Sequence, residues 1–169
     1  MTGGEGSSKE FRTGIGWDTH RIAGGRRLML GGVEIPWSYG LDGHSDADVL
    51  LHAVTDAVLG AAALGDIGEH FPNSAPEWKD APSRRFLEEA IVLAEQSGFS
   101  LVNIDSTIIL ETPQLKHHRA AIRKSLAEIA GLPLDCVSVK FKTAEAVGPV
   151  GRGLSAEAQA VVTLSRKGD

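Results

Sequence analysis

Three side chains have the types and spacing of a metal site. Asp18 and His20 are one residue apart in "GIGWDTHRIAGG", 14–25, which reads as a buried strand followed by a Gly-Gly turn. On a strand, residues i and i+2 share a face, so the carboxylate and imidazole project together. Such a pair is a surface ion pair, a core hydrogen bond, or two ligands of a metal. A third ligand is needed to decide. It is offered by "GHSDADVLLHAVTDAVLG", 43–60, where Ser45, Asp48 and His52 fall at i, i+3 and i+7 of a helix, one face. Ser45 suits the N-cap, and Asp48, three residues on, suits a capping-box relative. A lone histidine in an apolar run is more often a satisfied core residue, but His52 has a candidate role as the third ligand. Asp48, one turn earlier, is placed to accept from its other ring nitrogen. Asp18, His20 and His52 make an O, N, N set that suits Zn²⁺ with three protein ligands and an open fourth position. An open position implies catalysis or substrate binding. The adjoining helix N-terminus favours an anion such as phosphate. The residues alone lead to a metal site for a phosphorylated ligand, and leave hydrolysis, transfer and cyclisation open.

The elements that must hold these residues are legible in the pattern. Strand signals fall at 12–18, 28–35, 99–110, 136–142 and 156–164, the last two alternating apolar and polar residues. Helices are expected at 45–64, largely buried; at 83–97, N-capped by Ser83 and stopped by Gly98; and at 116–130, stopped by Gly131. Strands alternating with helices predict an α/β (α+β) layer fold. The expected form is a single mixed sheet of four to five strands with three helices on one face. "EHFPNSAPEWKDAPS", 69–83, holds three prolines and reads as a long loop, of the kind that serves as a lid. At 169 residues the chain is expected to form one domain, 11–167, behind a disordered polar tail, 1–10. The net charge of −5 argues against nucleic acid or an anionic membrane as a partner. Cys136 is the sole cysteine, which excludes an internal disulfide and a cysteine-based zinc site. With no signal or spanning segment in view, a cytoplasmic protein is expected.

The runs "GWDTHR", "LGGVEIP" and "GLDGHSDADVLLHAVTDAVLGAAALGDIGEHFP", with "NIDSTIILETPQL", "VSVKFKTAEAVG" and "GRG", closely resemble the 2-C-methyl-D-erythritol 2,4-cyclodiphosphate synthase family of isoprenoid biosynthesis. The likeness runs from residue 12 to about 165. It implies an intramolecular phosphoryl transfer. The 2-phosphate of 4-diphosphocytidyl-2-C-methyl-D-erythritol 2-phosphate attacks the β-phosphorus, CMP leaves, and a cyclic diphosphate forms. No nucleophile–base pair is evident, and this chemistry needs none, because the attacking phosphate is already an anion.

The resemblance also implies roles. Zn²⁺ sits on Asp18, His20 and His52, with Thr19 beside them in the substrate site. A second cation, Mg²⁺ or Mn²⁺, is anchored by Glu145. His44 and Thr143 stabilise the transition state, and Ser45 binds phosphate. Asp66, Ile67 and Gly68 hold the methylerythritol part, although Asp66 also reads as helix punctuation. The loop Phe71, Pro72, Asn73, Ser74 and Ala75 contacts substrate, with Asn73 and Ala75 where the family has acidic residues. Leu110, Glu111, Thr112, Pro113, Gln114, Leu115 and Lys116 form the cytidine pocket, with Gln114 departing from the family's pattern. Lys142, Thr143, Ala144 and Glu145 grip the diphosphate. Arg152 matches an arginine facing a central cavity, where Pro149 and Leu154 replace the family's common Phe and Glu. A homotrimer with sites between subunits is implied, and the small apolar strand 156–164 is a weak hint of it. A metal-dependent phosphohydrolase and a non-catalytic nucleotide-binding module remain the alternatives.

Overall fold

A computed structural model describes residues 9–166. Strand β1 (Glu10–Gly24) leads into a small hairpin, β2 (Leu28–Leu30) and β3 (Val33–Ile35), then β4 (Tyr39–Leu41) and helix α1 (Val49–Ala62). One turn of helix, α2 (Ile67–His70), and a 3₁₀ turn at Pro76–Trp78 precede α3 (Arg84–Gln96). There follow β5 (Ser100–Ile109), α4 (Arg119–Ala130), β6 (Val137–Lys142), the short α5 (Gly148–Gly151) and β7 (Ser155–Arg166). The main sheet has the order β4-β1-β7-β5-β6; only β5 and β6 run parallel, so the sheet is mixed. Along β1 the residues alternate faces. Gly14 and Gly16 are buried, whereas Ile15 and Trp17 are exposed.

Helix α1 lies across β1 and β7 unusually closely, because a Cβ on Gly14 or Gly16 would collide with the carbonyls of Ala57 and Ala53. The alanines of β7 (Ala156, Ala158 and Ala160) face the same core and are buried. Their small size therefore serves helix–sheet contact within the chain, a correction to the idea that it marks a subunit interface. The outward face of β7 carries Glu157, Gln159 and the half-exposed Val161.

Several expectations shift. The segment 28–35 is a hairpin turned at Gly31 and Gly32, both with positive φ, and not one strand; β4 had no clear pattern at three residues. Helix α1 begins at Val49, so Ser45 is not its N-cap. That role belongs to Asp48, whose carboxylate accepts from Leu51 N at 3.1 Å and from Gly31 N and Gly32 N at 2.9 and 2.7 Å. Fully buried, the Asp48 carboxylate ties the hairpin turn to the helix start, and the His52 ring takes its partners elsewhere. The third helix begins at Arg119 after a 3₁₀ turn over Lys116–His118. The expected tail lies outside the described residues up to residue 8, and Glu10 already opens β1.

Candidate active site

Where β1 passes under α1, three ligand atoms converge. Asp18 Oδ2 lies 2.9 Å from His20 Nε2 and 3.0 Å from His52 Nδ1, and the two ring nitrogens are 3.0 Å apart. The i, i+2 spacing on β1 and the close seat of α1 on Gly16 bring them together. His20 Nδ1 is 2.7 Å from the Asp42 carbonyl, which only accepts, so Nδ1 carries a proton; Nε2 donates to Asp18 when the ring is protonated and has a free lone pair when it is neutral. Burial alone would raise the Asp18 carboxyl. Hydrogen bonds from His20 and His52, with their charge, overcome this and hold it well below the usual carboxylate range. Burial alone would lower His20; its hydrogen bond to Asp18 and that residue's charge raise it above its usual value. A carboxylate and two imidazoles this close require a cation among them, a proton or a metal. The O, N, N set fits Zn²⁺, and this is the cluster of metal-binding type found among the described residues.

The cluster opens into a cavity of about 450 Å³ lined by Gly43, His44, Ser45, Ile67, Gly68, Phe71, Pro72 and Asn73, with Trp78 and Phe86. Phe71, Trp78 and Phe86 pack together, Phe71 and Phe86 stacked at 4.9 Å, and so pin the 71–83 loop over the site. His44 Nε2 is buried without a hydrogen-bond partner among the described residues. Asp66 does not line the cavity. Its carboxylate accepts from Glu69 N at 3.0 Å and caps α2, so its punctuation is of the following helix, not the preceding one. Asp56, on α1, accepts from Ile67 N at 2.8 Å and fixes the same turn from beneath. Burial, with Asp66 and Asp18 nearby, raises the Asp56 carboxyl.

The remaining expected site residues lie elsewhere. Leu110, Glu111, Pro113, Gln114, Leu115 and Lys116 line a separate cavity of about 220 Å³ with Arg119, Phe141, Lys142 and Thr143. Leu110 N donates to the Lys142 carbonyl at 3.0 Å, and Ala144 N donates to Glu111 Oε2 at 3.1 Å, which joins the two segments. Thr143 Oγ1 donates to Glu145 Oε1 at 2.6 Å on the exposed loop. This cavity and the metal cavity share no lining residue. Thr19 points to the other face of β1, where it lines a third cavity of about 480 Å³ with Pro149 and Leu154. Arg152 is exposed and turns back to the Gly148 carbonyl. Ser74, Ala75 and Thr112 line none of these three cavities.

The model of the YgbB family matches residues 11–165. The chain belongs to the YgbB family. It is 64% identical over 157 residues to the 2-C-methyl-D-erythritol 2,4-cyclodiphosphate synthase of Solibacter usitatus, across 93% of this chain and 99% of that one. Identity to the synthase of Gloeobacter violaceus is 54% over 155 residues, 92% and 95% of the two chains. A solved 2C-methyl-D-erythritol-2,4-cyclodiphosphate synthase, described as the bound form with CDP, superposes with a TM-score of 0.84 at 41% identity. The match covers 90% of this chain and 99% of that one. The resemblance read from the sequence thus stands.

Within this member of the YgbB family, the sequence reading missed Ser83 and Asp46 beside His52, the Asp42 carbonyl, Asp56, and the aromatic pair Trp78 and Phe86. Ser83 reads as a helix cap, and its spacing does not signal the site; Asp56 falls at i+4 from His52 on the same helix face, a signal the reading did not follow. Asp46 lies in "HSDAD", where Asp48 and not Asp46 has the helical spacing to His52.

Proposed function

We propose that this protein converts 4-diphosphocytidyl-2-C-methyl-D-erythritol 2-phosphate to 2-C-methyl-D-erythritol 2,4-cyclodiphosphate and CMP, as a phosphorus–oxygen lyase of the methylerythritol phosphate route. The observation that carries the reading is the convergence of Asp18, His20 and His52 on one point at the wall of the cavity of about 450 Å³, in a chain 64% identical to such a synthase. A zinc ion held by these three residues would supply a Lewis acid for a phosphate oxygen. The chain's own residues position the rest. His44 and Ser45 line the same space. Ile67 and Gly68 offer the start of α2, held by Asp56. Lys142 and Thr143 grip the diphosphate, and Glu145 would hold Mg²⁺ or Mn²⁺, which offsets repulsion between the reacting phosphates. The base sits in the cavity of residues 110–116. Catalysis is positioning and charge neutralisation, with the substrate's own phosphate as nucleophile.

The two half-sites occupy separate cavities of one chain, which supports a homotrimer that joins the metal half of one subunit to the cytidine half of its neighbour. Exposed Ile15, Trp17 and Val161 on the outer sheet face supply an apolar surface for that contact. Among the described residues no helix is long and apolar enough to cross a membrane. The free Cys136 suits a reducing, cytoplasmic setting. Phosphorus NMR of the product mixture tests the function. A cyclic diphosphate with stoichiometric CMP is expected; inorganic phosphate would mark a hydrolase, and unchanged substrate a binding module.

A further inference from the structure

Ser83 stands immediately before α3, where a serine hydroxyl ordinarily accepts from the helix's own first-turn N–H groups. It makes no such bond. Fully buried, its Oγ instead lies 2.8 Å from His52 Nε2, beside Ser45 Oγ at 3.2 Å, and in close hydrogen bond with Asp46 Oδ1. The proton positions follow from what each group can do. A carboxylate only accepts, so the Ser83 hydroxyl donates to Asp46. That leaves the Ser83 oxygen with lone pairs toward His52, and the Nε2 facing it must carry a hydrogen. Ser45 Oγ, 3.1 Å from the same Nε2, takes a share of it while accepting from Ala47 N at 3.1 Å. His52 Nδ1 is then deprotonated and aims its lone pair at Asp18 and His20.

We infer that Ser83 and Asp46 are positioning residues that lock the Nε2–H tautomer and ring orientation of His52 for the metal. The inference rests on the metal reading of Asp18, His20 and His52, and adds a link to the loop above them. Asp46 Oδ1 also accepts from Ser83 N at 3.1 Å, Asp46 N donates to the Ala81 carbonyl at 3.1 Å, and Asp80 N donates to the His44 carbonyl at 2.8 Å. The end of the 71–83 loop and the orientation of a metal ligand are thereby fixed by one carboxylate.

The test compares the wild type, Ser83→Ala and the conservative Asp46→Asn. Zinc affinity is read by competition with a chromophoric chelator, and the His52 tautomer by ¹⁵N imidazole NMR on metal-free protein. Removing such a partner of a ligating histidine costs about 10–100-fold in metal affinity. Ser83→Ala is expected to show that loss and a mixed tautomer, with its metal-free thermal melt close to wild type. Asp46→Asn keeps an acceptor oxygen and should keep most of the affinity and the Nε2–H signal. Wild-type zinc affinity with an intact Nε2–H tautomer in Ser83→Ala overturns the inference alone. Absence of zinc uptake by the wild type overturns the metal reading and the inference together. A Ser83→Ala melt that collapses with the wild-type tautomer intact makes the hydroxyl structural and also overturns it.

Discussion

His20 Nε2 and His52 Nδ1 face Asp18 Oδ2, and each ring's far nitrogen is held by a different partner, the Asp42 carbonyl and the Ser83 hydroxyl. Asp18's hydrogen bond and charge raise His20 above its ordinary value against the effect of burial, so below that pKa a proton on Nε2 competes with a metal. Zinc must displace that proton. Above the raised His20 pKa there is none to displace and affinity should be level. As pH falls through it, affinity should drop about tenfold per unit for one proton released. Chelator competition between pH 8 and pH 5.5 checks this, and affinity independent of pH would contradict it. Glu145 poses a different problem. It is exposed, holds only Thr143, and has φ 51°, which Gln would share. Glu145→Gln should therefore change stability by within about 0.5 kcal/mol. Loss of a preorganised electrostatic contact should lower kcat about 10²–10³-fold at saturating Mg²⁺. A normal kcat would make it a solvated loop charge. At this scale the ligands were readable, because i, i+2 on a strand is a geometric certainty. Ser83 was not, because its hydroxyl makes a tertiary choice over the local cap.

Among the elements, α1 and β1 decide the site. The ligands on β1 and the ligand on α1 meet only if the helix axis sits low over the strand, and Gly14 and Gly16 permit that. Gly16→Ala would push a methyl into the Ala53 carbonyl. The expected cost is about 3 kcal/mol, the upper end for overpacking, because backbone and not a pliable side chain must yield. A melt lowered by roughly 6–12 °C, with weakened zinc binding, is the expected result; an unchanged melt would show that α1 shifts freely. Long elements were legible from periodicity, and α1 was recognised as buried from its Ala, Val and Leu content. Its start was misplaced because "GHSDAD" offers two good caps, and only the turn at Gly31 and Gly32 selects Asp48. The three-residue strands β2, β3 and β4 are too short for alternation to be seen.

For the whole molecule, the proposed trimer makes a test by complementation. Chains of His52→Ala and of Thr143→Ala should each be inactive, since one lacks the metal half and the other the diphosphate half. Mixed and reassembled, roughly a quarter of head-to-tail interfaces should pair two intact halves and regain activity. No recovery, with exchange verified by light scattering and native mass spectrometry, would place the site within one chain. The order of strands has a separate consequence for how the protein comes into being. β7 lies between β1 and β5 and pairs with both, from Glu10 opposite Arg166 to Ile109 opposite Glu157. During synthesis, β1 and the apolar α1 leave the ribosome with their central partner still more than ninety residues of chain away. Sequence separation of that order makes for slow closure. The nascent chain must carry an apolar helix only partly covered by β1 until its final strand arrives, so the stretch that completes the core also ends the helix's exposure to other chains.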